Sequence, residues 1–240
     1  MTCVNNAQSD QTCGISSLVY LDLCQAGTLE RIGQFDLTPS KIIGIGRNYR
    51  AHAAELQNPI PLEPLMFLKA SSALLGPSGE IVRPRGFERV DYEGELAVVI
   101  GQSGRRISES SALDHVLGYT CLNDVTVRDL QQKDKLWTRA KGMDSFCPIG
   151  PRIVCGLDVA NLRIVTRVNG EIRQDGRTAD MIFPIDKLIA YASQYLTLAA
   201  GDVIATGTPE GVGNLQPGDV VTVEIEGIGV LENRVVDDVE

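Results

Sequence analysis

Five consecutive apolar residues, Leu96-Ala97-Val98-Val99-Ile100, follow directly on Glu93-Gly94-Glu95. Such a run reads as a buried strand, and a chain that buries a strand has to pack other elements over it. Side chains two apart on a strand share a face, so Glu93 and Glu95 can aim at one point. Two carboxylates at the mouth of a buried strand repel each other unless a cation compensates them. Asp124, in Leu122-Asn123-Asp124-Val125-Thr126, ends a mostly uncharged stretch from Val116 and offers a third carboxylate. Three carboxylates with no nearby imidazole suit a hard cation such as Mg²⁺ or Mn²⁺ better than zinc. On Glu-x-Glu alone, a strand end carrying two solvated acids is the competing reading.

The 240 residues suffice for one substantial core, or one core with a small appendage. A net charge of −9 and the lack of a dense basic stripe point away from nucleic acid. No apolar stretch approaches the length of a membrane span. The polar N-terminus has no basic segment leading into an apolar one, so no secretory signal is expected. Cysteines at 3, 13, 24, 121, 147 and 155 form no C-x-x-C pair and read as reduced thiols in a cytoplasm. Cys121 and Cys147 need no chemical role beyond packing.

Residues 1 to about 12 are polar and aperiodic and are expected to be disordered. Ile15 to Phe35 suits a small strand-rich segment, and Thr38-Pro39-Ser40 a linker. From Lys41 onward the chain reads as many short strands with few helices. Asn169-Gly170 is a strong hairpin signal between Arg163–Val168 and Glu171–Arg173. Val220–Glu226 and Val230–Val236 form a second antiparallel pair, and Val203–Ala205 is a further strand. Helices are expected at about 48–57, 109–116, 125–135 and 184–196. The last places Ile185, Leu188, Ile189, Ala192 and Tyr195 on one stripe, with Pro184 near its start. The fold class that follows is mainly β with interspersed helices, α+β, without a repeated βαβ pattern.

If 48–57 is helical, His52 and Glu55 lie three apart on one face. A carboxylate beside an imidazole fixes its tautomer and raises its basicity, so the pair is a candidate general base; an incidental surface ion pair is the alternative. Gly46 and the prolines of Asn58-Pro59-Ile60-Pro61 would let this short helix act as a lid. Lys141, among small and apolar residues before a turn at Cys147–Pro151, is placed either to hold a carboxylate or enolate oxygen or as an exposed loop lysine. Arg128 and Gln131 project from the helix after Asp124. Lys69 ends an apolar strand and faces a pocket or solvent. The loop Thr206-Gly207-Thr208-Pro209-Glu210-Gly211 offers backbone N–H groups and the Thr208 hydroxyl to a carboxylate, or is purely a turn. It lacks the Gly-Lys-Ser/Thr of a phosphate loop.

Together, Lys41–Tyr49, Asp91–Leu96, Asn123–Asp129, Lys141–Asp144 and Thr206–Pro209 resemble the fumarylacetoacetate hydrolase family. The resemblance spans about 200 residues, essentially everything after the linker, and rests on five motifs in the right order. It implies residues 1–40 as a short N-terminal segment and 41–240 as the catalytic domain, a mixed β-sandwich roll of the family's C-terminal domain type, usually a homodimer. It further implies Mg²⁺ or Mn²⁺ held by Glu93, Glu95 and Asp124, a lid dyad of His52 and Glu55, and a substrate-contacting Lys141. Arg47, Tyr49, Lys69, Arg128, Gln131 and Thr208 are the implied substrate contacts. The activity expected first is hydrolysis of a C–C bond in an acylpyruvate or fumarylpyruvate-like diketo acid. Oxaloacetate decarboxylation, and isomerase or tautomerase chemistry through the same enolate, are the alternatives.

Overall fold

The computed structural model of the chain describes residues 15–23 and 29–239. In chain order its strands begin with β1 (Ile15–Leu23), β2 (Leu29–Leu37), β3 (Ile42–Gly46), β4 (Leu65–Lys69), β5 (Leu74–Leu75), β6 (Glu80–Arg83), β7 (Val90–Tyr92) and β8 (Gly94–Ile100). They continue with β9 (Val116–Asn123), β10 (Thr126–Val127), β11 (Cys147–Cys155), β12 (Arg163–Val168) and β13 (Glu171–Arg177). The last are β14 (Val203–Ala205), β15 (Gly213–Asn214), β16 (Val220–Ile225) and β17 (Gly229–Asp237). Four α-helices intervene: α1 (Arg50–Glu55), α2 (Arg128–Asp134), α3 (Thr138–Lys141) and α4 (Ile185–Tyr195).

The main sheet runs β2-β1-β11-β9-β8-β14-β3-β4, with β5 added against β11. A second sheet runs β13-β12-β16-β17-β6, and a small one β10-β7-β15. The apolar run of β8 is explained by cover on both faces. Leu96, Val98 and Ile100 pack with Ile164, Val223 and Ile225 of the second sheet and with Leu188 and Ile189 of α4. Ala97 and Val99 belong to the other core, with Leu122, Ile149, Ile153, Val203 and Ala205. A strand flanked by two cores has no polar face to alternate, hence the unbroken apolar sequence. The architecture is α+β and mainly strands, as expected.

Several local signals map directly. Asn169 (φ 52°) and Gly170 (φ 83°) both take the left-handed conformation that a tight hairpin between β12 and β13 requires. β16 and β17 pair antiparallel from Val220 opposite Arg234 to Ile225 opposite Gly229. α4 buries Ile185, Leu188, Ile189 and Ala192, but Tyr195 lies exposed at its end, edge-on to Tyr191 at 5.3 Å. Two helices are shorter than expected: α1 covers only Arg50–Glu55 of 48–57, and α2 starts only at Arg128 because Thr126 and Val127 pair with β7. The expected helix at 109–116 is a 3₁₀ helix over Glu109–His115. Cys147–Pro151, expected as a turn, already belongs to β11.

The strands β1 and β2 form a hairpin, and β1 pairs parallel with β11, from Val19 opposite Arg152 to Asp22 opposite Cys155. The segment before Lys41 therefore extends the main sheet. Residues 1 to about 12, expected to be disordered, lie outside the described residues. No described helix is long and apolar enough to cross a membrane.

Register sets the position of the site. β8 and β9 run antiparallel with Gly94 opposite Asn123, so the start of one lies beside the end of the other. β14 runs parallel to β3, with Ala205 opposite Gly44, so their C-terminal ends emerge side by side. β3 leads into α1, and β14 leads into the Thr206–Gly211 loop. The acidic motifs, the lid helix and the glycine-rich loop converge at one edge of the main sheet.

Candidate active site

At that edge, ligand atoms of Glu93, Glu95 and Asp124 all lie within 4.8 Å of one another, and all three residues are buried. The backbone fixes the cluster. The Asp124 N–H donates to the Glu93 carbonyl at 2.8 Å, and the Asn123 side-chain oxygen accepts from the Glu93 N–H at 2.9 Å. Gly94 has no room for a side chain, because a Cβ there would lie 2.1 Å from Thr166 Oγ1. The motif therefore needs glycine between its two acids.

Buried carboxylates require compensation, and three cations supply part of it. Lys141 Nζ donates to Glu93 at 2.9 Å, Asp124 at 2.5 Å and the Thr126 hydroxyl at 2.7 Å. Lys69 Nζ meets the other Asp124 oxygen at 2.5 Å, and Arg128 Nη2 meets Glu93 at 2.5 Å. Burial alone would raise the Glu93 carboxyl, but Lys141 and Arg128 outweigh it and hold the group well below the usual carboxylate range. Burial also works against the Lys141 ammonium, yet Asp124 and Glu93 keep its affinity for the proton above the ordinary lysine value.

Glu95 differs. Among the described residues it forms no ion pair, and its one hydrogen bond comes from the Gly207 N–H at 2.8 Å. Burial first, then the neighbouring Asp124 and Glu93, push its carboxyl well above the usual range. Gly207 takes φ 98°, and a Cβ there would approach Asn48 Cβ to 2.7 Å. The donor set fits a hard divalent cation: three clustered carboxylates without thiolate or imidazole, one of them short of positive charge.

These groups open into a cavity of about 290 Å³ lined in part by His52, Arg47, Arg89, Arg128, Gln131, Thr208 and Lys141. His52 is buried in α1, and its Nδ1 lies 3.2 Å from Glu55 Oε2. A carboxylate only accepts, so Nδ1 carries the proton and Nε2 is left as the basic atom. Glu55 is anchored in turn by the Gly211 N–H at 3.0 Å, which ties the lid helix to the glycine-rich loop. Phe67 and Trp137 wall the cavity beside Lys141, whose Nζ lies 5.1 and 5.9 Å from their ring centroids.

Of the twelve residues singled out from sequence, nine line this cavity; Glu55, Tyr49 and Lys69 do not. Glu55 stands behind His52. Tyr49 is fully buried in the core at the start of α1, its hydroxyl without a hydrogen-bond partner. Lys69 is also fully buried and spends its ammonium on Asp124. Thr208 lines the cavity, but its hydroxyl donates to the Gly94 carbonyl and accepts from Gln174 Nε2, both at 2.8 Å. Its proton is therefore committed to bracing the acidic strand. Lys141 sits in helix α3 and is buried, not on an exposed loop.

Several residues that sequence reasoning missed hold this arrangement. Gln174 binds Thr208, the Pro209 carbonyl and the Gly94 N–H, fastening the loop to the acidic motif. Asn48 joins the root of α1 to the Thr206 and Phe183 carbonyls at 2.7 and 3.0 Å. Asp91 accepts from both Arg89 and Arg128. Its position two residues before Glu93 was the available signal. Gln174 had none, because its neighbours in β13 are mostly exposed. Cys121 and Cys147 are buried free thiols, and burial pushes both up to about 12.

Comparison with known proteins agrees with this geometry. Residues 41–236 match the family model described as fumarylacetoacetate (FAA) hydrolase C-terminal. An uncharacterized protein of Methanocaldococcus jannaschii is 54% identical over 203 residues, covering 85% of this chain and 86% of that protein. An oxaloacetate tautomerase of Bacillus subtilis is 47% identical over 212 residues, 82% of this chain and 70% of the relative. Among solved structures, a 5-carboxymethyl-2-hydroxymuconate delta-isomerase from Mycobacterium smegmatis superposes with a TM-score of 0.79 at 46% identity, over 84% of this chain and 80% of the other. These last two relatives are named for tautomerase and isomerase activity, not for C–C bond hydrolysis. With the match spanning nearly all of the chain after the linker, the protein belongs to the fumarylacetoacetate hydrolase family.

Proposed function

We propose that this protein is a tautomerase or isomerase that moves a proton on the enol or enolate of a 2-oxo acid. The observation that carries this reading is the placement of an oriented base, His52, in the same cavity as the carboxylate cluster and Lys141. Glu93, Glu95 and Asp124 would hold Mg²⁺ or Mn²⁺, which would supply Lewis-acid stabilisation of the negative charge that develops on the 2-oxygen of the bound acid. Lys141 adds a buried ammonium beside that oxygen and lowers the cost of negative charge on it. His52 Nε2 takes the proton from the carbon next to the carbonyl and delivers it to the 2-oxygen, giving the enol, or to a carbon further along the conjugated enolate, giving the isomer; the enol-to-keto direction runs the same transfer in reverse. Glu55 keeps the imidazole in the correct tautomer and stabilises the imidazolium. Phe67 and Trp137 limit water at Lys141, which strengthens its interaction with the enolate oxygen. The reading also carries over the family's homodimer, which light scattering in solution checks.

Hydrolysis of an acylpyruvate is the second reading, favoured by the same dyad, since His52 with Glu55 can activate water as well as shuttle a proton. The two part on products. The test offers enol-enriched oxaloacetate and acetylpyruvate with Mg²⁺ or Mn²⁺, following enol absorbance, pyruvate and CO₂ separately. Faster loss of oxaloacetate enol without pyruvate or CO₂ is the expected result. Stoichiometric pyruvate and acetate from acetylpyruvate, with no effect on the enol, would replace the tautomerase reading by the hydrolase one.

A further inference from the structure

The proton transfer above uses the inner end of the cavity and leaves its outer wall unexplained. That wall carries Arg89, about half exposed at the mouth. Its guanidinium is gripped by Asp91: Nε lies 2.9 and 3.1 Å from the two carboxylate oxygens, and Nη2 lies 2.9 Å from one of them. This grip uses one edge of the planar fork and leaves the Nη1 side turned away from Asp91. Asp91 is fully buried and also accepts from Arg128 Nε at 2.8 Å. One carboxylate thus serves two guanidiniums and neutralises only one.

The surplus charge is presented by Arg89. Arg128 is buried and spends its remaining nitrogens on Gln131 at 2.8 Å and Glu93 at 2.5 Å. Around the cavity, Arg47, Arg89, Arg128 and Lys141 are matched by Glu93, Glu95, Asp124 and the Asp91 behind them. A divalent cation on the acids tips that balance positive. In a chain with net charge −9, this is a local reversal of sign, of the kind that draws an anion into a cleft. One carboxylate at the inner end leaves this excess incompletely answered.

From this arrangement we infer that Arg89, held by Asp91, receives the second carboxylate of a dicarboxylate substrate and makes the site selective for 2-oxo dioates over 2-oxo monoacids. A fixed guanidinium loses little rotamer freedom on binding, and its fork matches a carboxylate in plane. Arg89 is a specificity residue with no part in the proton transfer, and Asp91 positions it. The inference rests on the 2-oxo acid reading of the site.

The test measures dissociation constants by calorimetry in Mg²⁺ buffer for matched pairs that differ only in the distal group. 2-Oxoglutarate is paired with 2-oxopentanoate, and 2-oxoadipate with 2-oxohexanoate. A charge-assisted contact predicts that, at one length at least, the wild-type protein binds the dioate about tenfold or more tightly than its monoacid. Arg89→Met is expected to bring that ratio below about threefold, while leaving the monoacid constant within about twofold. Arg89→Lys, which keeps the charge but not the fork, should fall between and guards against a folding defect in the first variant. An undiminished dioate preference in Arg89→Met would overturn the assignment. Wild-type protein that binds both members of every pair equally would overturn it while leaving the 2-oxo acid reading intact. Binding of none of the four would refute that reading, and the inference with it.

Discussion

Gly94→Ala is the substitution whose consequence follows most directly from the geometry. The added methyl would sit 2.1 Å from Thr166 Oγ1, far inside contact distance, while the next atoms, Gln174 Oε1 and Val223 Cγ1, lie at a tolerable 3.3 Å. β8 therefore has to move from β12 by more than 1 Å, or Thr166 has to leave its rotamer. Overpacking of this kind costs about 1–3 kcal/mol. Thr166 Oγ1 is itself buried without a partner, so Thr166→Ala removes an unpaired hydroxyl along with one methyl group and should be neutral within about 1 kcal/mol. The double variant relieves the clash, so the two changes should couple favourably by about 1–2 kcal/mol. Urea denaturation of the four proteins of this cycle, followed by circular dichroism, gives the energies. Calorimetric Mg²⁺ titration of the same set shows whether Glu93 and Glu95 have been re-aimed. Wild-type stability in Gly94→Ala, or no recovery in the double variant, would refute the packing argument.

Three further substitutions probe the electrostatics. Glu95→Gln keeps an acceptor for the Gly207 N–H but removes a carboxylate that has no ion pair among the described residues; divalent cation affinity should fall about a hundredfold or more, with metal-free stability unchanged or raised, by calorimetry and thermal melting. Lys141→Met takes away three hydrogen bonds from a buried acidic cluster and should cost about 3–5 kcal/mol without metal. Urea curves with Mg²⁺ at about a hundred times its dissociation constant should then recover about 2.7 kcal/mol, provided that the cation binds only the folded state. Asp202→Ala should cost about 3 kcal/mol, because that fully buried carboxylate accepts from Ser40, Ala199 N–H and both nitrogens of Lys41. The loss is read from the urea midpoint, with catalysis in the surviving folded fraction unchanged.

The carboxylate cluster was legible because its constraints are local. Glu93 and Glu95 abut an apolar run, and Asp124 ends an uncharged strand that the β8–β9 register sets beside them. The His52–Glu55 pair was legible for a similar reason, since three-residue spacing needs only one turn of helix. Tyr49 and Lys69 do not line the cavity, because side-chain direction depends on how β3, α1 and β4 pack. Tyr49 turns into the core and Lys69 turns back to Asp124. Gln174 acquires its role only when β13 folds over the Thr208 loop, a contact 34 residues away in sequence that no periodicity encodes. The bracing role of the Thr208 hydroxyl was not legible because its partner, the Gly94 carbonyl, is 114 residues distant. The N-terminal segment was legible as strand-rich but not in its partners; the parallel pairing of β1 with β11 has no local signature.

The central claim is that His52 exchanges a proton with the carbon next to the carbonyl of a bound 2-oxo acid. Deuterium wash-in at that carbon, followed by NMR in D₂O with oxaloacetate and Mg²⁺, tests it most directly. The account predicts exchange well above the protein-free rate, dependent on the divalent cation, and reduced about a hundredfold or more in His52→Ala while that variant still binds Mg²⁺. Exchange at the protein-free rate with wild-type protein, or full exchange retained in His52→Ala, would contradict it.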